Sequence, residues 1–155
     1  MTLWRFIHLL TLCYFVAGVG GTTVPIWRAW MTDNLERRAL LIEEAHRNES
    51  TVLLPGLIAM LFSGYAWAAA ANINVVTTWW LVALQLVTWT DLFLFLPLMG
   101  VGLRRVRYLA LAAAHEGTMT EDLKSALADN VPVVFSTVIA LTIPLMIWLP
   151  VFKPF

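Results

Sequence analysis

The chain has 155 residues, 60% hydrophobic and 13% charged, with a formal net charge of zero. Soluble domains average about 45–50% apolar and 25% charged residues, so this balance points to a membrane protein. It excludes the basic footprint of a nucleic-acid partner, and the single cysteine, Cys13, excludes an intrachain disulfide or a CxxC metal or redox motif.

The first apolar stretch runs from about Leu3 to Ile26. Only Arg5 flanks it with positive charge, and His8, Gly18, Gly20 and Gly21 interrupt its core. It therefore reads as a retained span, not a cleaved signal peptide. Leu12 before Cys13 is too bulky for a lipoprotein cleavage site. His8, Thr11, Phe15, Gly18 and Thr22 share a narrow arc at helical phase. His8 reads as a polar packing residue, as a proton-handling group or as an axial haem ligand. A bis-ligated haem needs a second side chain, for which Met146 has a compatible depth.

A charged segment, Arg28–Thr51, follows. The pairs Asp33–Arg37 and Glu43–Arg47 place acid before base at i, i+4 and support helix there. These charges read as a solvated face in contact with lipid headgroups. Glu43-Glu44-Ala45-His46 holds one Glu-x-x-His, whereas a di-iron bundle needs two and further carboxylates, so no metal site is expected. Asn48-Glu49-Ser50 matches a glycosylation sequon by pattern only.

The second span is Val52–Ile73, with Pro55 expected in its first turn, where proline is tolerated. Gly56, Ala59, Ser63, Ala66 and Ala70 recur at 3-4-3-4 spacing, a small-residue stripe on which another helix can approach closely.

The short, uncharged link Asn74–Thr77 leads into the third span, Thr78–Leu103, where Asp91 is the only ionisable residue. At 1.5 Å per residue this stretch exceeds the roughly 30 Å hydrocarbon core. A carboxylate near its middle costs about 2.5–3.5 kcal/mol on insertion scales, so it asks for a partner or a task. Gln85, Thr88 and Asp91 fall within an arc of about 120°.

Arg104, Arg105, Arg107 and Lys124 mark the next charged segment, Arg104–Asn130. Thr118 with Glu121 resembles a capping box opening a short helix through about Ala128. The fourth span is Val131–Phe152, with Ser136, Thr137 and Ala140 on one side. Pro97 and Pro144 lie inside spans three and four and are expected to free carbonyls and kink the helices.

These readings combine into an all-α fold: one transmembrane unit over residues 1–155, a four-helix bundle with short helices in its charged loops. Its intramembrane polar site is expected to gather Asp91, Gln85, Thr88, Ser136 and Thr137. Asp91 reads as a neutral acid bonded to Ser136, Thr137 or a proline-freed carbonyl. Alternatively it is a proton relay, a ligand contact or half of a salt bridge to another subunit. His8 and Asp91 should differ in depth by about 10 Å, which argues against a direct pair. The positive-inside rule puts both charged segments in the cytoplasm and both termini outside, with Trp4, Trp79, Trp80 and Trp148 at the outer face.

Arg5-Phe6-Ile7-His8-Leu9-Leu10, Leu54-Pro55-Gly56, Ser63-Gly64, the basic cluster after the third span and the closing Lys153-Pro154 carry a resemblance. Over its whole length the chain resembles a family of small bacterial four-span integral membrane proteins of uncharacterised function. More distantly it is similar to copper-resistance D-type membrane domains and to haem-binding bacterial protoporphyrinogen oxidases, which place a histidine early in the first span. That resemblance implies the bacterial inner membrane and haem b or copper at His8, the one position that matches.

No Ser/His/Asp or Cys/His catalytic set is evident, and no catalytic residue is assigned. The expectation is a non-catalytic subunit or assembly partner of a larger membrane complex, with an electron-transfer assembly as one candidate, embedded in lipid beside other subunits. The alternatives are a haem b-binding redox protein using His8 and a small proton-coupled transporter using Asp91.

Overall fold

Prolines decide where the helical ladder of this chain changes register. The computed structural model describes residues 2–153, so Pro154 of the closing Lys153-Pro154 pair lies outside the described residues. Helix α1, Thr2–Met31, crosses about 45 Å in one piece with Pro25 inside it. Helix α2, Leu35–Asn48, continues through a single π-helical turn, Glu49–Leu53, into α3, Leu54–Ala70. The Leu54 N–H reaches back five residues to the Glu49 carbonyl, and Pro55 has no N–H to give. The Thr51 carbonyl, four residues before Pro55, accepts a hydrogen bond from Tyr14 Oη instead (3.1 Å).

The second half repeats the device. Helix α4, Trp79–Thr90, passes through a π turn at Asp91–Phe95 into α5, Leu96–Glu116. Leu96 N–H bonds the Asp91 carbonyl, and Pro97 follows. Each π turn thus opens on an acid and ends just before a proline, an arrangement often tied to function. Pro55 sits in the first turn of α3, as expected, and α3 joins α2 through the π turn in a continuous rod of 36 residues, Leu35–Ala70.

Local chemistry closes the helices. Asn72 adopts a left-handed conformation (φ 54°), and Ile73 N–H caps the Ala68 carbonyl at 3.0 Å, ending α3. Gly117, at φ 71°, ends α5. Helix α6, Glu121–Ala128, is capped by Thr120, whose Oγ1 accepts from Leu123 N, so Thr118 is not the cap the sequence suggested. Helix α7, Val131–Phe152, starts after the left-handed Asn130 and contains Pro144 and Pro150.

Four helical stretches are long and apolar enough to cross a membrane: Thr2–Met31, Leu35–Ala70, Trp79–Glu116 and Glu121–Phe152. No strand occurs among the described residues. The first stretch lies at the centre, with α1 packed on α2, α3 and α7; α2 packs on α5, and α7 on both α4 and α5. Gly18 and Gly56 set the α1–α3 approach: a Cβ on Gly18 would lie 2.7 Å from Leu53 Cα, and one on Gly56 would lie 3.0 Å from Phe15 Cα. Phe15, Leu53, Leu57, Met99, Leu103 and Ile139 fill the space between the rods.

The core runs beyond the apolar spans read from the sequence. Ile42, Ala45, Val106, Ala110, Ala113 and Leu123 are buried too, on segments that read as charged loops. Arg38, counted among the charges of a solvated face, is buried as well. Its Nε donates to the Ala29 carbonyl at 3.0 Å and its Nη2 to the Thr32 carbonyl, satisfying acceptors at the end of α1. Among the described residues neither Asp33–Arg37 nor Glu43–Arg47 forms an ion pair. Glu43 reaches across to Arg107 on α5 and takes both Nε and Nη2 of its guanidinium.

Candidate functional site

The loop between α3 and α4 is short, yet the two helices barely touch. A polar tie bridges them. Tyr65 Oη donates to Gln85 Oε1 (2.7 Å), and Gln85 Nε2 donates to the carbonyls of Val75 (2.7 Å) and Leu81 (3.1 Å). Gln85 is therefore spent on fastening the link to the two helices. Between α1, α3, α4 and α7 this divergence leaves a cavity of about 330 Å³, within the roughly 300–1,000 Å³ typical of small-molecule sites. Its walls are predominantly apolar, with Leu12, Met60, Leu84 and Met146 contributed by four different helices.

His8 is the principal polar group on this wall. Its Nδ1 lies 3.1 Å from the Met60 carbonyl oxygen and 3.1 Å from Ser63 Oγ. A carbonyl only accepts, so the Met60 contact is a hydrogen bond when Nδ1 carries a hydrogen, and in the neutral ring Nε2 then keeps its lone pair. The ring rests on Gly64, where an added Cβ would come within 3.1 Å of Cε1, and packs at 5.6 Å from Trp67. Ser63 Oγ also meets Thr11 Oγ1 at 2.8 Å, fixing the orientation of the ring from both helices. Arg5, one turn earlier on α1 and exposed, lines the same cavity. Thr88 lines it as well, its hydroxyl turned back to the Leu84 carbonyl (2.9 Å).

The remaining polar residues of the spans lie apart from this cavity. Asp91 is fully buried at the head of the second π turn. Its Oδ2 meets Thr142 Oγ1 at 2.7 Å, and its Oδ1 has no partner. The partner is thus Thr142, six residues or about 9 Å further along α7 than Ser136, and neither Ser136 nor Thr137. Ser136 bonds its own helix at Val133, and Thr137 accepts from Trp27 Nε1 at 3.1 Å. Gln85, Asp91 and Thr137 thus bond different partners and do not meet in one site. No direct His8–Asp91 bond is present among the described residues.

On the small-residue stripe, Gly56 and Ser63 are buried against α1, Ala59 and Ala66 are half-buried, and Ala70 is exposed. Thr142, Tyr65 and the Met60 carbonyl are polar contacts that sequence reasoning missed. Thr142 alone left a signal: with Gln85 set level with Met146, Asp91 falls opposite Ala140, half a turn from it.

At the other end of the bundle, Arg107 holds the Glu43 carboxyl below the usual carboxylate range through its hydrogen bonds. Glu49, at the head of the first π turn, is buried against Gly100, where an added Cβ would collide with its carboxylate. His46 Nδ1 lies 3.4 Å from Glu49 Oε2. Among the described residues no three His, Cys, Asp or Glu side chains converge to hold a bare metal ion.

One family model matches the chain, over residues 2–154, under the description "Predicted integral membrane protein (DUF2269)". No curated protein and no solved structure matches it.

Proposed function

The chain belongs to the predicted integral membrane protein family DUF2269, and from that premise we propose that it binds a small membrane-borne amphiphile in the cavity beside His8. The single observation carrying this reading is the joining of an apolar cavity to a histidine whose ring is held from two sides. An apolar body fills the cavity, a hydroxyl or similar donor meets Nε2 of His8, and an anionic head pairs with Arg5. Mass spectrometry of protein released from native-membrane nanodiscs tests it. The wild type is expected to carry a small lipophilic molecule that is lost when Leu84→Trp fills the cavity. A wild type without such a molecule, or an equal load in Leu84→Trp, defeats the reading.

A second reading rests on Met146, which lines the same cavity from α7. Haem b would be held by His8 and Met146, with Arg5 as partner to a propionate. The cavity lies at the small end of the ligand range, so a macrocycle would require α7 to move outward. An absorption spectrum after expression with ample haem decides between the two, because only haem gives a Soret band that His8→Ala abolishes.

The host membrane we infer is the bacterial inner membrane, with both termini outside and α2, the end of α5 and α6 in the cytoplasm. The arginine distribution supports this orientation. In a Cys13→Ser background an impermeant maleimide should label Asn74→Cys from outside and Thr118→Cys only after permeabilisation; the reverse pattern inverts the topology. Spans one and two bury 39% and 33% of their apolar windows, against 17% and 22% for spans three and four. Those outward faces suit lipid and a neighbouring subunit of a larger complex. A lone monomer on blue-native electrophoresis in mild detergent would remove the subunit.

A further inference from the structure

Asp91 lies where three elements meet, and none of them brings a cation to it. Its π turn packs on α4, α5 and α7. Neither α4 nor α7 carries an ionisable residue, and on α5 the first is Arg104, midway along the helix and exposed. Among the described residues Asp91 has no ion-pair partner. The side chain is nonetheless 0% exposed.

The hydrogens around Thr142 do not add up for an ionised carboxylate. Thr142 Oγ1 lies 2.7 Å from Asp91 Oδ2 and 2.7 Å from the Ile139 carbonyl oxygen. A hydroxyl has one hydrogen to donate, and both of these neighbours would be acceptors only. One of two short contacts would then hold no hydrogen, and Oδ1 would remain a bare carboxylate oxygen with no partner. A proton on Oδ2 resolves both conflicts. Asp91 then donates to Thr142 Oγ1, and Thr142 donates to the carbonyl one turn back on its own helix, a usual habit of helical threonine. Oδ1 becomes the carbonyl of a neutral acid, a smaller desolvation cost than half of a carboxylate.

We propose that Asp91 is a proton-binding site in the interior of the membrane, holding its proton against Thr142 Oγ1 at neutral pH. The site is separate from the His8 cavity and does not depend on any ligand there. The π turn faces the acid toward Thr142 on α7.

Infrared spectroscopy of the full chain in lipid, with aspartate carboxyls isotopically labelled, tests the assignment without mutation. Of the four aspartates, Asp33, Asp122 and Asp129 are exposed, so only Asp91 can give a neutral-acid carbonyl band at neutral pH. A label-shifted acid band is expected, absent in Asp91→Asn and moved to higher frequency in Thr142→Val, where the hydrogen bond is gone. It should be the same in sodium and choline buffers. Carboxylate bands alone at neutral pH, or an acid band that survives Asp91→Asn, would overturn the proposal. Replacement of the acid band by a carboxylate band on adding sodium would assign the site to that ion instead.

Discussion

Replacing Gly18 with alanine should loosen the bundle where a glycine meets a neighbouring backbone most closely. The added Cβ would sit 2.7 Å from Leu53 Cα and 2.8 Å from Leu53 N. Both are backbone atoms of the first π turn, so no side chain can swing away. Carbon atoms rest at roughly 3.5–4.0 Å, so α1 must retreat by about 1 Å. That retreat also strains Asn48 Nδ2, which donates to the Gly18 carbonyl at 2.7 Å and to Thr22 Oγ1 at 2.7 Å. Overpacking of this kind costs about 1–3 kcal/mol. Gly20 supplies the control, because a Cβ there meets nothing within 4 Å. Both glycines sit inside α1, so the helix-propensity gain on going to alanine is shared and cancels in the difference. Unfolding by SDS in mixed micelles, followed by loss of helical circular dichroism, should therefore place Gly18→Ala about 1–3 kcal/mol below Gly20→Ala. Equal midpoints would refute the close α1–π-turn contact.

Three further outcomes follow from the contacts. Ser63→Ala removes one partner of His8 and of Thr11 and should cost about 0.5–1.5 kcal/mol in the same assay; no change would mean the hydroxyl network is not formed. Arg38→Met should cost roughly 1–3 kcal/mol, because the Ala29 and Thr32 carbonyls lose their buried donor, and wild-type stability would argue against a buried guanidinium. Glu43, whose carboxyl is held low by Arg107, contributes stability above the ordinary carboxylate value of about 4.3. That contribution is lost as pH falls through its lowered value, so Glu43→Gln should flatten the acid limb of thermal unfolding. The pair is partly exposed, and added salt should shrink the effect; an unchanged acid limb would count against the pair.

How far the sequence reaches depends on which physical signal a residue leaves. Apolar runs long enough for the bilayer left no doubt about four spans and an all-helical fold, because lipid permits a spanning backbone few other solutions. Hydropathy also isolated Asp91, since one acid in an apolar run stands out whatever it touches. It did not find the packed ends of α2, α5 and α6, where Ile42, Val106 and Leu123 are buried among charged neighbours. Their apolar faces are half of a helix each, and averaging along the chain dilutes them. The i, i+4 rule paired Glu43 with Arg47, but a guanidinium offering two donors on α5 won.

Polar partners inside the bundle were decided by tertiary structure alone. The sequence reading set Asp91 beside Ser136 or Thr137, and the acid meets Thr142 further along α7 instead. His8 was visible as a histidine in a span, but that its Nδ1 is held by Met60 and Ser63 depends on Gly64 admitting the ring. The sequence by itself determined that the chain lives in the membrane and where its rare polar groups occur along it. Only the packing of the rods decided which atoms those groups face, because a hydrogen bond is won or lost over distances shorter than one residue's rise.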